Sequence, residues 1–343
     1  MGPWEGFALP SVFKKAAYVK VACYTLPMIT ILTLLGLLVL FYALGLSADL
    51  VIKHIRSIGK KLGIPVFVLG LMLGLLTSLP ELGIGINALA QNVPSVSVGN
   101  LLGGVIVLFC LILGLGIVLN REIKTDGKTE ILWPILAYMS LPLLFGLRGY
   151  IGFWTGFGLL LLYPAVLLYA YLSHGEKSGH ASDGKRVPIV KELAFIVLGL
   201  IGIIFLSNLI VRMTLPILTT LRVPGFIVGL LVYSIGTNLP ELIVTIRAWK
   251  NHVRELSFGN ILGSAAANAA LLGAFAMTQT LPVTVDFSYV VTVLVMLVMF
   301  GLVLRFYRTG KRFSRVEGLV LIALYVIFVL FQLPTLSAFA GTL

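Results

Sequence analysis

Two glutamates carry the chemistry open to this sequence. Glu81 and Glu241 stand deep inside long apolar stretches, each directly after a proline (Pro80, Pro240) and four residues after a threonine (Thr77, Thr237). An ionised carboxylate at that depth in a bilayer costs at least a few kcal/mol, so it must face a polar cavity with a partner. Proline lacks the N–H a helix interior uses and disturbs the carbonyl one turn earlier, which frees backbone oxygen beside each threonine. Carboxylate, hydroxyl and freed carbonyl oxygens are hard ligands, suited to Na⁺ and Ca²⁺ rather than to thiophilic metals. The alternative is a protonated, hydrogen-bonded pair with a purely structural role.

Both glutamates belong to one internal repeat. Residues 77–104, TSLPELGIGINALAQNVPSVSVGNLLGG, align without gaps on 237–264, TNLPELIVTIRAWKNHVRELSFGNILGS, with 13 identities in 28 positions. Upstream, Pro65 to Gly70 corresponds to Pro224 to Gly229, although the first copy is one residue shorter between Gly70 and Thr77. The second half of each copy, Gly99-Asn100-Leu101-Leu102-Gly103-Gly104 and Gly259-Asn260-Ile261-Leu262-Gly263-Ser264, supplies small residues for close helix approach and side-chain oxygens for the same cavity.

The elements that must position these groups are membrane helices. Of 343 residues 38 are charged and 59 % are apolar, with a mean hydropathy of +1.07. Soluble domains are about 25 % charged, so a water-soluble enzyme, a disordered chain and a nucleic-acid binder fit poorly. Stretches free of charge, most of them near the roughly 20 residues a bilayer core requires and one, 82–120, long enough to be split, predict ten transmembrane helices in an all-α polytopic fold. The first runs past Asp49, the second from near Leu62 through Glu81 to about Ala90, and the seventh from near Pro224 through Glu241 to about Ala248. Gln91, Asn92, Pro94, Ser95 and Ser97 mark a polar turn between the second and third.

Alternate loops hold 19 of the 25 Lys and Arg residues, which puts those loops in the cytoplasm and both termini outside. The net charge of +12 is thereby read as topology rather than nucleic-acid affinity. Lys14, Lys15 and Lys20 run against the rule and suggest an interfacial segment over 1–20. The expected organisation is a first five-helix repeat over 21–173, a cytoplasmic loop over 174–190 and a second five-helix repeat over 191–343. The copies begin five helices apart, which inverts one relative to the other across the membrane, as in many secondary transporters. No secretory leader is evident, so the first apolar run is expected to persist. Cys23 and Cys110 argue neither for a disulfide nor for zinc. Without a G-x-x-x-x-G-K-[ST] loop or a clustered nucleophile, base and acid, ATP-driven pumping and enzymatic turnover are disfavoured.

The motifs Thr77-Ser78-Leu79-Pro80-Glu81 with Gly99-Asn100, and Thr237-Asn238-Leu239-Pro240-Glu241 with Gly259 to Ser264, resemble the two alpha repeats of the Ca²⁺/cation antiporter superfamily, in particular its sodium/calcium exchanger branch. The resemblance implies two inverted five-helix halves, with helices two, three, seven and eight enclosing the ion sites and helices one and six sliding across them. It places cation ligands at Thr77, Ser78 and Glu81, at Thr237, Asn238 and Glu241, and at Ser264 and Asn268. Helix three departs from the pattern, with Gly104 and Leu108 where two side-chain ligands are expected. Asn268 stands for the usual Asp, Asn238 for a Ser, and Leu76 for the Gly before the threonine.

The implied activity is secondary active antiport by alternating access, exchanging Ca²⁺ or a similar cation for Na⁺ or H⁺. The alternative is a degenerate, transport-inactive member serving as a membrane scaffold or regulatory partner. Expected partners are membrane lipid and small inorganic cations, with no cofactor, no nucleic acid and a monomer as the working unit. The location is a multi-pass membrane protein, in the cell membrane if the source is prokaryotic. Outside this set, Asn87 has no assigned role, and Asn100 and Asn260 are as suited to joining helices as to touching an ion. Asp49 and Asp286 read as solvated charges at helix ends, and His54, His174, His180 and His252 as surface histidines.

Overall fold

The computed structural model describes residues 32–33, 35–55, 57–58, 76–120, 122–124, 129–174, 189–220, 223–239, 241–242, 258–308 and 312–340. The expected N-terminal segment, the first half of helix two and the second half of helix seven lie outside these residues. Ten helical segments occur among the described residues. They are α1 (Leu35–Ile55), α2 (Leu79–Ala90), α3 (Pro94–Leu119), α4 (Thr129–Gly146), α5 (Phe153–His174), α6 (Ile189–Thr220), α7 (Gly225–Thr237), α8 (Phe258–Thr278), α9 (Phe287–Arg308) and α10 (Arg315–Ala340). Six are long and apolar enough to cross a bilayer. The polar turn between α2 and α3 is tight: Asn92 takes the left-handed conformation at φ 58°, which its short amide side chain tolerates, and Pro94 opens α3 where no N–H partner is needed.

Two short antiparallel ladders tie the connections together. β1 (Glu122–Lys124), after α3, pairs with β4 (Arg312–Ser314), before α10. β2 (Tyr150–Ile151), before α5, pairs with β3 (Leu281–Pro282), after α8. Each ladder joins loops that share a side of the membrane when spans alternate. The two are also mates under the repeat, since β1 and β3 follow the third helix of their halves and β2 and β4 precede the fifth.

The layering follows from apolar coverage. The apolar window of α3 is 83 % buried and that of α8 72 %, against 28–33 % for α1, α6 and α10. The inner helices approach backbone to backbone. A Cβ on Gly99 of α3 would fall 2.0 Å from the Phe226 carbonyl oxygen of α7, and one on Gly229 would fall 2.3 Å from the Val96 oxygen, so two G-x-x-x-G faces interlock. Further out, Gly114 of α3 meets Gly318 of α10, and Gly156 of α5 meets Gly273 of α8, again as symmetry mates.

Two π-helical stretches keep the repeats in register. The additional residue between Gly229 and Thr237 falls where α7 is π-helical, Gly229–Tyr233. α3 likewise turns π-helical over Val107–Leu113, and its crossing glycine lies ten residues past Gly104, whereas that of α8 lies nine past Ser264. A π turn accommodates one more residue without rotating the helical turns beyond it.

Candidate ion-binding site

Both proline motifs break their helices at one place. Ser78, with φ −91° and ψ 18°, precedes α2, and Asn238, with φ −94° and ψ 10°, ends α7. The chain recovers helical bonding directly afterwards, through Leu82 N to Ser78 O at 2.9 Å and Leu242 N to Asn238 O at 3.1 Å. The break turns Thr77, Ser78, Thr237 and Asn238 toward α3 and α8. Glu81 and Glu241 follow on the first turn after each break.

All eight residues singled out from the sequence come together. The Thr77 hydroxyl lies 2.8 Å from that of Ser264, and Ser78 Oγ donates to the Ser264 carbonyl at 3.5 Å. Thr237 reaches the Glu81 carboxylate and donates to Asn100 Oδ1 at 3.3 Å. Asn238 Nδ2 donates to Ser234 O at 2.8 Å and to Thr237 Oγ1 at 3.4 Å, while Asn268 Nδ2 donates to Leu101 O at 3.5 Å. Glu241, partly buried, lies within the electrostatic reach of Glu81 and of Asp49 on α1. Glu81 is only 3 % exposed. Its Oε2, Asn100 Nδ2 and Asn268 Oδ1 are buried with no hydrogen-bond partner among the described residues. Such orphaned polar atoms cost about 1–3 kcal/mol each unless something fills the space between them. Asn260 is a residue whose side chain lies outside the description.

The helix-three wall is not an open gap. A Cβ on Gly104 would fall 2.7 Å from Asn268 Nδ2, so that carboxamide takes up the space a side chain would claim, while Asn238 Nδ2 would sit at ordinary contact distance, 3.4 Å. Leu108 is buried in the apolar core.

Two features escaped sequence reasoning. Asn87, left without a role, is a hub between α2 and α6: its Nδ2 donates to Gly83 O at 3.0 Å and Ser207 Oγ at 2.8 Å, and its Oδ1 accepts from Asn208 Nδ2 at 2.9 Å. Its repeat mate is Arg247, so the symmetry that exposed the glutamates gave no signal there. His54 is not a free surface histidine. Its ring stacks on Phe195 at 4.6 Å and bonds Glu192, whose other oxygen accepts from Ser57 Oγ at 2.6 Å. Helix α6 begins earlier than the charge-free stretch suggests, which buries Glu192 in its first turn. Asp49 is exposed, and Asp286 accepts from Tyr289 N at 2.9 Å, capping α9.

The comparisons with known proteins converge on one family. The sequence profile described as sodium/calcium exchanger protein matches residues 32–172 and 191–333. The chain is 28 % identical over 302 residues to an uncharacterized membrane protein of Methanocaldococcus jannaschii, covering 86 % of this chain and 94 % of that one. It is 26 % identical over 345 residues to the sodium/calcium exchanger MaX1 of Methanosarcina acetivorans, covering 88 % and 98 %. Among solved structures it is similar in fold to the sodium-calcium exchanger NCX_Mj soaked with Na⁺ and Sr²⁺, with a TM-score of 0.60 at 24 % identity, covering 87 % of this chain and 98 % of that one. With its apolar helices and inverted repeat, the chain is a multi-pass integral membrane protein and belongs to the sodium/calcium exchanger family of cation antiporters.

Proposed function

We propose that the protein exchanges Ca²⁺, or a divalent cation of similar size, for Na⁺ or H⁺ at the Glu81–Glu241 pair, and performs no catalytic turnover. The observation that carries this reading is the convergence of one carboxylate from each repeat on a pocket where Glu81 Oε2 and Asn268 Oδ1 are buried without partners among the described residues. Thr77, Ser78, Thr237, Asn238, Ser264 and Asn268 supply the surrounding hydroxyl and amide oxygens.

The mechanism is competition. Two ionised carboxylates in a dehydrated pocket are costly until cations neutralise them, so only the loaded carrier changes the face to which it opens. Substrate and coupling ions share the same carboxylates, which forbids both loads at once. The two inverted halves, 21–173 and 191–343, provide two pseudo-symmetric states that open to opposite sides.

Thermal stabilisation of the purified protein tests the reading. Ca²⁺ should raise the melting temperature, Na⁺ or lower pH should displace it competitively, and Glu81→Gln should abolish the shift. No shift with Ca²⁺, Mg²⁺, Mn²⁺, Na⁺ or K⁺ would sink the reading and favour a transport-inactive scaffold.

A further inference from the structure

The peripheral helices α1 and α6 pack on each other: a Cβ on Gly202 would fall 2.6 Å from Ser47 Oγ, and one on Gly199 2.8 Å from the Ser47 carbonyl oxygen. Both also reach the proline-broken helices on one side of the glutamates. Gly83 and Asn87 stand two and six residues past Glu81, toward the α2–α3 turn. A Cβ on Gly83 would fall 2.6 Å from Ile203 Cγ2 and 3.1 Å from Ser207 Oγ of α6. Asn87 Nδ2 donates to Ser207 Oγ at 2.8 Å, and Asn208 Nδ2 donates to Asn87 Oδ1 at 2.9 Å. On α7, Tyr233 and Gly236 precede Thr237 and so lie toward the α6–α7 connection, which shares a side with the α2–α3 turn when spans alternate. Tyr233 shares a hydroxyl–hydroxyl hydrogen bond with Thr214 of α6 and meets the Phe41 ring of α1 edge-on at 5.7 Å. A Cβ on Gly236 would fall 2.4 Å from that same ring. Phe41, Ser207, Thr214 and Tyr233 are buried.

The repeat does not carry the chemistry of this closure to its other end. The mates of Gly83, Asn87 and Gly236 are Ile243, Arg247 and Leu76. Arginine offers no acceptor, and Ile and Leu bring bulk where glycine admits Ile203, Ser207 and the Phe41 ring. We propose that Asn87, Ser207 and Asn208 are positioning residues for the exchange. Their hydrogen bonds, backed by Phe41 and Tyr233, hold α6 and α1 over the pocket on the side of the α2–α3 turn and break each time the pocket opens there. The inference rests on the exchange reading above, and it deepens that reading by assigning one of its two closures to named side chains.

Disulfide locking in proteoliposomes tests it, using the full-length protein with Cys23→Ala and Cys110→Ala. Gly83→Cys with Ser207→Cys sets two Cβ atoms 3.4 Å apart between α2 and α6, near the about 3.8 Å a disulfide adopts, with a methyl of Ile203 to give way. Gly202→Cys with Ser47→Cys does the same within the α1–α6 pair, at 3.2 Å. Oxidation of the α2–α6 pair should reduce gradient-driven Ca²⁺ uptake to the background of empty vesicles, and dithiothreitol should restore it. The α1–α6 pair should take up Ca²⁺ equally well oxidised and reduced. Undiminished uptake by the α2–α6 pair, with its disulfide verified by mass, would show a fixed contact and overturn the inference. Asn87→Leu supplies a second readout in vesicles of one protein orientation. It should lower the half-saturating Ca²⁺ concentration several-fold on the face of the α2–α3 turn without lowering it on the other, because the state open to that face becomes more populated. Equal changes on both faces would mark a merely structural residue and contradict the assignment. Absence of uptake by the wild-type protein overturns the exchange reading itself, whereas uptake that the α2–α6 lock leaves intact overturns the closure alone.

Discussion

The Thr77 hydroxyl lies 2.8 Å from the hydroxyl of Ser264, joining the broken start of α2 in one repeat to the middle of α8 in the other. The contact bonds one repeat to the other within the proposed ligand set, so losing it should weaken cation binding there. Ser264→Ala should raise the half-saturating concentration of the coupling ion several-fold and affect Ca²⁺ less. The readout is Ca²⁺ displacement by Na⁺ or H⁺ in the purified protein, and an equal loss for both loads would contradict this role.

The interlocked glycines set the distance between α3 and α7 on which the site depends. Gly99→Ala places a methyl 2.0 Å from the Phe226 carbonyl oxygen, a backbone atom that cannot swing aside. Overpacking of this kind costs about 1–3 kcal/mol. Gly158→Ala, with nothing within 4 Å of its Cβ, should leave the melting temperature unchanged or slightly raised. Equal melting temperatures for the two variants would contradict the close approach.

Asn87 fastens the ion-binding helix α2 to the peripheral helix α6. Asn87→Leu removes the hub and leaves Asn208 Nδ2 without its acceptor. The expected loss is about 1–3 kcal/mol. The further substitution Ser207→Ala should then add less than it does in the wild type, because the two residues share one bond. Additive losses in a double-mutant cycle would refute the coupling.

Most of the architecture could be read from the sequence because a bilayer imposes a simple rule on apolar length, and because Thr77 to Gly104 and Thr237 to Ser264 preserve their chemistry across the repeat. The features it concealed depend on packing between helices with no such pattern. Asn87 is matched to Arg247, so its role is not repeated. Glu192 carries no signal in the sequence, and its buried place follows only from α6 starting at Ile189. Gly104 reads as a lost ligand, whereas the space is filled by the Asn268 amide from a helix distant in sequence. The one-residue mismatch upstream of Thr237 acquires a physical cause only when α7 is seen to be π-helical over Gly229–Tyr233.

The His54–Glu192–Ser57 cluster ties the end of α1 to the start of α6. Glu192 is 3 % exposed, so losing a partner leaves a carboxylate without full compensation. His54→Ala should destabilise the protein by about 1.5–3 kcal/mol, and replacing His54 and Glu192 together by apolar residues should recover part of that loss. Thermal melts of the three proteins check this, and a double variant no more stable than the single one would argue against the pairing.

The central claim is that Glu81 and Glu241 carry the transported cation, and gradient-driven Ca²⁺ uptake into proteoliposomes by the Gln variants tests it most directly. The account predicts that Glu81→Gln and Glu241→Gln each reduce uptake to the background of empty vesicles while melting temperature and helical content persist. Uptake undiminished in either variant would contradict it.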